Sequence, residues 1–323
     1  MPTPTPSDLH VSAPLTNVGV AFTQEQSVYV ADQVFPVVPV SHKSDLFYRY
    51  DQSDWFRDEA KERSPRSESA GGGFSATTDS YTTKTNAFHI DIDDEERANA
   101  DSWFQLDSDA AKLIMQKLLI RRERLFNANF FTTGVWAQDV AGIASAPGAG
   151  QTIFWDAAAG DPVADIDKAK AYMLKNGIVL PNTLTLGYEV YIALRNNLRI
   201  RDQLKYTTST MATSEILATM FDVDKVVISK AVYATNLQGQ TGAYSFINSK
   251  SALLTYTPPA PSIRTPSAGY IFAWSGLTGS VNGMRMLNFR IPQIRSDRIE
   301  GEQAIAFKKV APALGYFFSA IVS

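Results

Sequence analysis

The side chains able to do chemistry in this chain are few and scattered. His10, His42 and His89 stand far apart, and cysteine is absent. No pair has zinc-ligand spacing, and neither a disulfide framework nor thiol chemistry is available. His89 alternates with Phe88 and Ile90, the position of a polar-face histidine on a strand. Gly71-Gly72-Gly73 and Gly148-Ala149-Gly150 lack the Lys-Ser/Thr that completes a phosphate loop, and neither has the strand-to-helix context of a dinucleotide fingerprint. No Gly-x-Ser-x-Gly elbow is present. No catalytic residue, cofactor site or metal ligand is assigned.

Two charged stretches remain. Asp91, Asp93, Asp94, Glu95 and Glu96 form the one cluster where a hard cation could bind, but the spacing and central glycine of a calcium loop are missing. Structural and helix-capping roles are the expectation, with metal binding as the alternative. The second stretch runs through Trp55, Phe56, Arg57, Asp58, Glu59, Lys61, Glu62, Arg63 and Arg66. Its cations could touch phosphates, yet Asp58, Glu59, Glu62 and Glu68 interleave with them. A strip of mixed sign fits pairing between protein surfaces better than a polyanion.

These stretches must be positioned by the rest of the chain. At 323 residues, 45% apolar and 20% charged, it is globular and long enough for one large domain or two ordinary ones. A net charge of −3 argues against a dedicated nucleic-acid binder. No apolar run of about 18 residues would span a membrane. The opening Met1-Pro-Thr-Pro-Thr-Pro lacks signal-peptide regions, so a soluble protein made in a cytosol is expected.

The organising element is a long helix predicted over about 106–131, with Asp107 as N-cap and Leu106 just outside it. Ala110, Leu113, Ile114, Leu118, Leu125 and Phe126 recur at helical spacing and form its expected core stripe. Arg121, Arg122 and Arg124 suit the negative end of its dipole. Before it, residues 1–30 read as a Pro/Thr/Ser-rich arm, and Val34–Val40, broken by two prolines, as an edge strand or irregular extended piece. Residues 45–93 read as a long hairpin-like excursion. One strand carries Leu46, Tyr48 and Tyr50, the other Phe88, Ile90 and Ile92, with a polar, Gly-rich tip between them too poor in apolar residues to bury a core.

Residues 155–278 alternate helix and strand. Asp161-Pro162 opens a helix with Val163, Ile166, Ala169 and Met173 inward and Gly177 as its stop. Further helices are expected near 189–196 and around Ile216, Leu217, Met220 and Phe221, with strands at 183–186, 226–228 and 253–256. The tail returns to strands around Leu287–Ile291, Ala304–Phe307 and Tyr316–Val322, expected to share one sheet on which the long helix packs.

Five stretches, in order along almost the whole chain, resemble the major capsid proteins of tailed bacteriophages with the Hong Kong 97-type fold. They are Ala31–Val40, Asp54–Ala60, Phe130–Trp136, Arg295–Arg298 and Val310–Phe318. The resemblance implies an α+β fold: a spine helix on an antiparallel sheet (peripheral domain; 31–44, 94–154 and 279–323), an α/β axial domain (155–278), an extended β-hairpin E-loop (45–93) and an N-terminal arm (1–30). It implies a shell protein, not an enzyme, that forms hexamers and pentamers closing into an icosahedral head. That head would enclose DNA without sequence-specific binding and without a membrane, in the virion of a phage made in a bacterial host's cytoplasm. A separate scaffolding protein, a portal and a decoration protein are the implied partners. The arm is too short for the cleaved scaffolding segment some members carry, and nothing marks Lys61 or Lys84 as an activated crosslinking lysine. An encapsulin-like compartment of the same fold and a soluble α/β enzyme are the alternatives.

Overall fold

The computed structural model describes residues 24–50, 52–100, 105–204, 212–260, 265–277 and 283–323. Most of the expected arm, residues 1–23, therefore lies outside the described residues. The chain begins with α1 (Ala31–Val34), β1 (Val37–Val40), β2 (Ser44–Tyr50), α2 (Gln52–Trp55), β3 (Ala76–Thr82), β4 (Lys84–Asp93) and α3 (Asp94–Asn99). The spine, α4 (Leu106–Phe130), follows. Next come β5 (Gln138–Ile143), β6 (Gln151–Ile153), α5 (Pro162–Gly177), β7 (Thr183–Gly187), α6 (Tyr188–Asn196), α7 (Leu198–Leu204), α8 (Ser214–Phe221) and β8 (Lys225–Ser229). A small hairpin, β9 (Val232–Ala234) and β10 (Tyr244–Phe246), precedes β11 (Ala252–Thr255), β12 (Gly269–Trp274), β13 (Met284–Ile291), β14 (Ser296–Lys309) and β15 (Gly315–Ser319).

Two sheets carry the structure. In the five-stranded sheet, the long β14 is flanked by β4 along one edge and by β13 and then β12 along the other. Parallel β1 closes the far side. Pro39 is tolerated there because an edge strand has a row of donors with no ladder to make. The six-stranded sheet has the order β6-β5-β15-β11-β7-β8. Its inner strands β7 and β11 are buried at every residue because both faces are covered. Ile166, Met173, Val190, Leu194, Leu217 and Phe221 from α5, α6 and α8 pack on one face. On the other, Leu253, Val227 and Phe317 meet Phe35 and the spine's end at Phe126 and Phe130.

The spine is 25 residues long, about 38 Å at 1.5 Å per residue. Its buried positions fall at Ala110, Ile114, Leu118, Arg122, Phe126 and Phe130, a four-residue step, with Glu123 beside them. Ile114 and Leu118 press on Ile92 and Ile299 of the five-stranded sheet. The approach is close enough that a Cβ on Gly301 would sit 2.4 Å from Cγ2 of Ile114.

Several expectations are corrected. Helix α4 starts at Leu106, so Asp107 lies inside its first turn and bonds Arg97 instead of capping. Leu113 is 46% exposed and Leu125 only half-buried, because the core track follows 110, 114, 118 and 122 and carries them to its flanks. Arg122 does not serve the helix end; it is buried and paired with Asp32. Strand β2 pairs with β3, a Ser/Thr-rich run first read as loop, while β4 pairs with β14. Threonine suits a pleated, half-buried surface, so polarity alone misread that segment. The C-terminal strand β15 joins β5 and β11, away from the other tail strands, so residues assigned to two domains share one sheet. Helix α5 has the expected start, with the Ala164 amide donating to Asp161 at 3.2 Å. It ends at left-handed Ile178, and Gly177 serves close packing on the Ala313 carbonyl.

Candidate assembly surface

The excursion between β2 and β3 is fixed at its root. Thr83, fully buried, joins β3 to β4, and its amide donates to the Lys43 carbonyl at 2.8 Å. Tyr81 stacks on Phe272 with ring centroids 4.5 Å apart, and Phe47 lies 5.8 Å from the same ring. Lys308, from the end of β14, donates to Asp79 at 2.9 Å. Partial burial opposes ionisation of Asp79, but the Lys308 hydrogen bond and a further bond from the Ser80 amide outweigh it and hold the carboxyl below its usual range.

Beyond the root, apolar cover ends. Leu46, Tyr48, Trp55, Phe56 and Phe74 are 62% to 68% exposed. Trp55 and Phe74 face each other at 5.8 Å across the neck of the tip. Asp54 accepts from the amide and hydroxyl of Ser75 at 2.7 and 2.6 Å, and these bonds hold its carboxyl below the usual range. Gln52 donates to the Asn176 carbonyl at 2.8 Å. Arg57 lies 3.2 Å from Asp54 and 3.7 Å from Glu59. Asp58, Lys61, Glu62, Arg63 and Arg66 are exposed and make no ion pair among the described residues. From Trp55 to Ser75 the tip has four cations and four carboxylates. Such a balanced surface neither repels a second copy nor draws a polyanion.

Leu46, Tyr48 and Phe74 were missed as surface candidates. The first two looked like ordinary strand residues, and Phe74 follows a glycine run with no periodicity to mark it. Of the six spine residues expected in the core, Ala110, Ile114, Leu118 and Phe126 are buried.

The acidic cluster serves the frame. Asp93 caps α3 by accepting from the Glu96 amide at 2.6 Å. Arg298 donates twice to Asp91, at 2.6 and 2.7 Å, and Arg290 twice to Asp94, at 2.6 and 2.5 Å. Those hydrogen bonds hold both carboxyls below their usual range.

Three of the five stretches noted in the sequence converge in one core. Phe35 sits 4.5 Å from Phe130 and 6.5 Å from Trp136, whose Nε1 donates to the Phe130 carbonyl at 2.8 Å. Leu314 and Phe317 complete the cluster. Asp54–Ala60 supplies the tip, and Arg295–Arg298 the strand that binds Asp91.

This spine-and-sheet frame with a projecting hairpin is the Hong Kong 97-type fold of tailed-phage capsid proteins, as the resemblance implied. A phage-related protein from Bordetella bronchiseptica RB50 superposes with a TM-score of 0.68 at 18% identity, over 92% of this chain and 94% of that one. The capsid of cyanophage P-SCSP1u superposes at 0.63 and 13% identity, over 98% and 94%. The SrpI encapsulin of Synechococcus elongatus PCC 7942 superposes at 0.55 and 11%, over 97% and 96%. In sequence, the chain is 23% identical over 255 residues to the major capsid protein of Burkholderia phage BcepMu, covering 76% of this chain and 75% of that protein. No family profile matches the chain.

Proposed function

We propose that the chain is a major capsid protein. It self-assembles through hexamers and pentamers into the icosahedral head shell that encloses the double-stranded DNA of a tailed phage, and it catalyses no reaction. The carrying observation is the excursion itself: a rooted hairpin whose five large apolar side chains have no core of their own. Fully burying one such side chain is worth about 1.5–3 kcal/mol, and a second copy of the same chain is a partner always at hand. Exposed ion pairs add about 0–1 kcal/mol each, so the tip charges set register more than strength. Many weak contacts repeated around closed symmetry still make a strong shell.

In this reading the five-stranded sheet and spine form the peripheral domain and residues 155–278 most of the axial domain. The hairpin forms the E-loop, and residues 1–30 the arm. A scaffolding protein, a portal and a decoration protein are the partners to test, with synthesis in the host cytoplasm and residence in the virion head. The sequence relative supports the phage reading over an encapsulin-like compartment.

Electron microscopy of the purified protein, with and without a co-expressed scaffolding protein, tests the proposal. Closed shells built of hexamers and pentamers are expected. A small, uniform oligomer under both conditions would refute it, and shells filled with an enzyme cargo would favour the encapsulin alternative.

A further inference from the structure

The spine's solvent face carries a charge pattern that the assembly role does not use. The core track at Ile114, Leu118, Arg122 and Phe126 turns inward, and Tyr29 and Ala231 pack beside Leu119 and Ile120 on a second side. Outward lie Asp109 and Lys112, paired with each other at 3.5 Å, and then Leu113, Lys117, Arg121, Arg124 and Ala128, exposed in one stripe at three- and four-residue steps. Lys117, Arg121 and Arg124 span about 10 Å of helix. Among the described residues, none of the three has a carboxylate within ion-pair distance. Arg121 donates to a neutral acceptor, Asn86 Oδ1, at 3.2 Å, and the Arg124 guanidinium lies 4.7 Å from the Tyr233 ring. Lys84, on the same face of β4 as Asn86, is exposed and adds a fourth cation at the flank.

Several other arginines of the frame are matched. Arg97, Arg199, Arg285, Arg290 and Arg298 each hold a carboxylate at 2.5 to 2.8 Å. Two of these pairs, Arg298–Asp91 and Arg285–Glu302, with Glu300 between them, lie on the side of the five-stranded sheet away from the spine. The layer is thus cationic on its helix side and balanced on its sheet side, in a protein whose net charge is −3. The E-loop tip of a second copy, with equal numbers of both signs, brings no net negative charge to such a stripe. A phosphate backbone, with one charge per about 1.7 Å of duplex, does.

We propose that the spine face bearing Lys117, Arg121 and Arg124 meets the phosphate backbone of enclosed duplex DNA, so that the helix side of the sheet is the inner side of the shell. This rests on the capsid reading. Contact is with phosphates only; no side chain of the stripe is placed to read bases.

The test compares the wild type with a Lys117→Gln/Arg121→Gln/Arg124→Gln variant and a charge-keeping Arg121→Lys/Arg124→Lys variant. Binding of a short DNA duplex to the unassembled subunit is measured against salt concentration, and shell formation is scored separately by microscopy. Losing three phosphate contacts should flatten the slope of log affinity against log salt by about 2.7, a difference of roughly 40-fold between about 50 and 200 mM salt. The charge-keeping variant should match the wild type, and all three should form shells. An unchanged slope in the Gln variant overturns the proposal. So does a Gln variant that loses shells but keeps its DNA affinity, because the stripe would then be an intersubunit contact. Absence of shells in the wild type would count against the capsid reading, while the slope comparison would still decide the stripe.

Discussion

Tyr81 stacks on Phe272 at 4.5 Å with the rings 22° from parallel, and this contact marks where the excursion stops being part of the subunit's own core. Both residues are under 10% exposed, whereas Leu46 and Tyr48 on the adjoining strand are bare. The stack divides a rooted segment from one that has nothing of its own to lie on.

Removing the stack should therefore loosen the root. Phe272→Ala is expected to cost about 3–5 kcal/mol in denaturant unfolding, as buried Phe truncations do. Tyr81→Phe keeps the ring and loses only the 3.3 Å bond to the His42 carbonyl, so about 1 kcal/mol or less is expected. Equal effects from the two substitutions would show that the ring contact does not anchor the hairpin.

The junction of arm and spine gives a pH signature. Glu123 accepts the amides of Val30 and Ala31 at 3.1 Å each, but burial outweighs these bonds and pushes its carboxyl from the ordinary 4.5 up to about 7. The folded state thus holds the proton more tightly than the unfolded chain. This group's contribution is fully present below about 4.5 and is lost as pH rises to about 7, on the order of 3 kcal/mol in all. Glu123→Gln should remove that fall, because the amide oxygen still accepts and nothing titrates. Urea unfolding of both proteins between pH 4 and 8 checks it: their stability difference should change across this window, and a constant difference would contradict the assignment.

Gly301→Ala should destabilise by about 1–3 kcal/mol through overpacking, since the added methyl would meet Ile114 and Leu118. Ile114→Ala, which removes the Cγ2 methyl the new group would meet, should cost less in the Gly301→Ala chain than in the wild type, making the two changes non-additive. Simple additivity would mean the helix shifts freely on the sheet.

Pattern and order in the sequence revealed the spine, the helices near 162–177 and 214–221, and the excursion's polar tip. Other features were hidden for physical reasons. Arg122 and Glu123 occupy the core track, and hydropathy cannot place ions inside; only their partners, Asp32 and the amides of Val30 and Ala31, make burial tolerable. Strand β3 was masked by its threonines, and β15 by sharing the alternation of strands from another sheet. The convergence of Phe35, Phe130, Trp136 and Phe317 links residues nearly 300 positions apart, which no local period encodes.

Deleting residues 55–75 should leave a subunit with unchanged melting temperature, since nothing in that segment enters the core clusters. The same protein should fail to form closed shells with scaffolding protein present. Normal shells would remove the tip from the assembly contacts.

Amide hydrogen exchange of residues 55–75, compared between isolated subunits and assembled shells, puts the central idea to the most direct test. Rapid exchange in the subunit and strong protection only in the shell is the predicted result. Equal exchange in both states would mean that the excursion gains its order from no second copy, and the assembly account would fail.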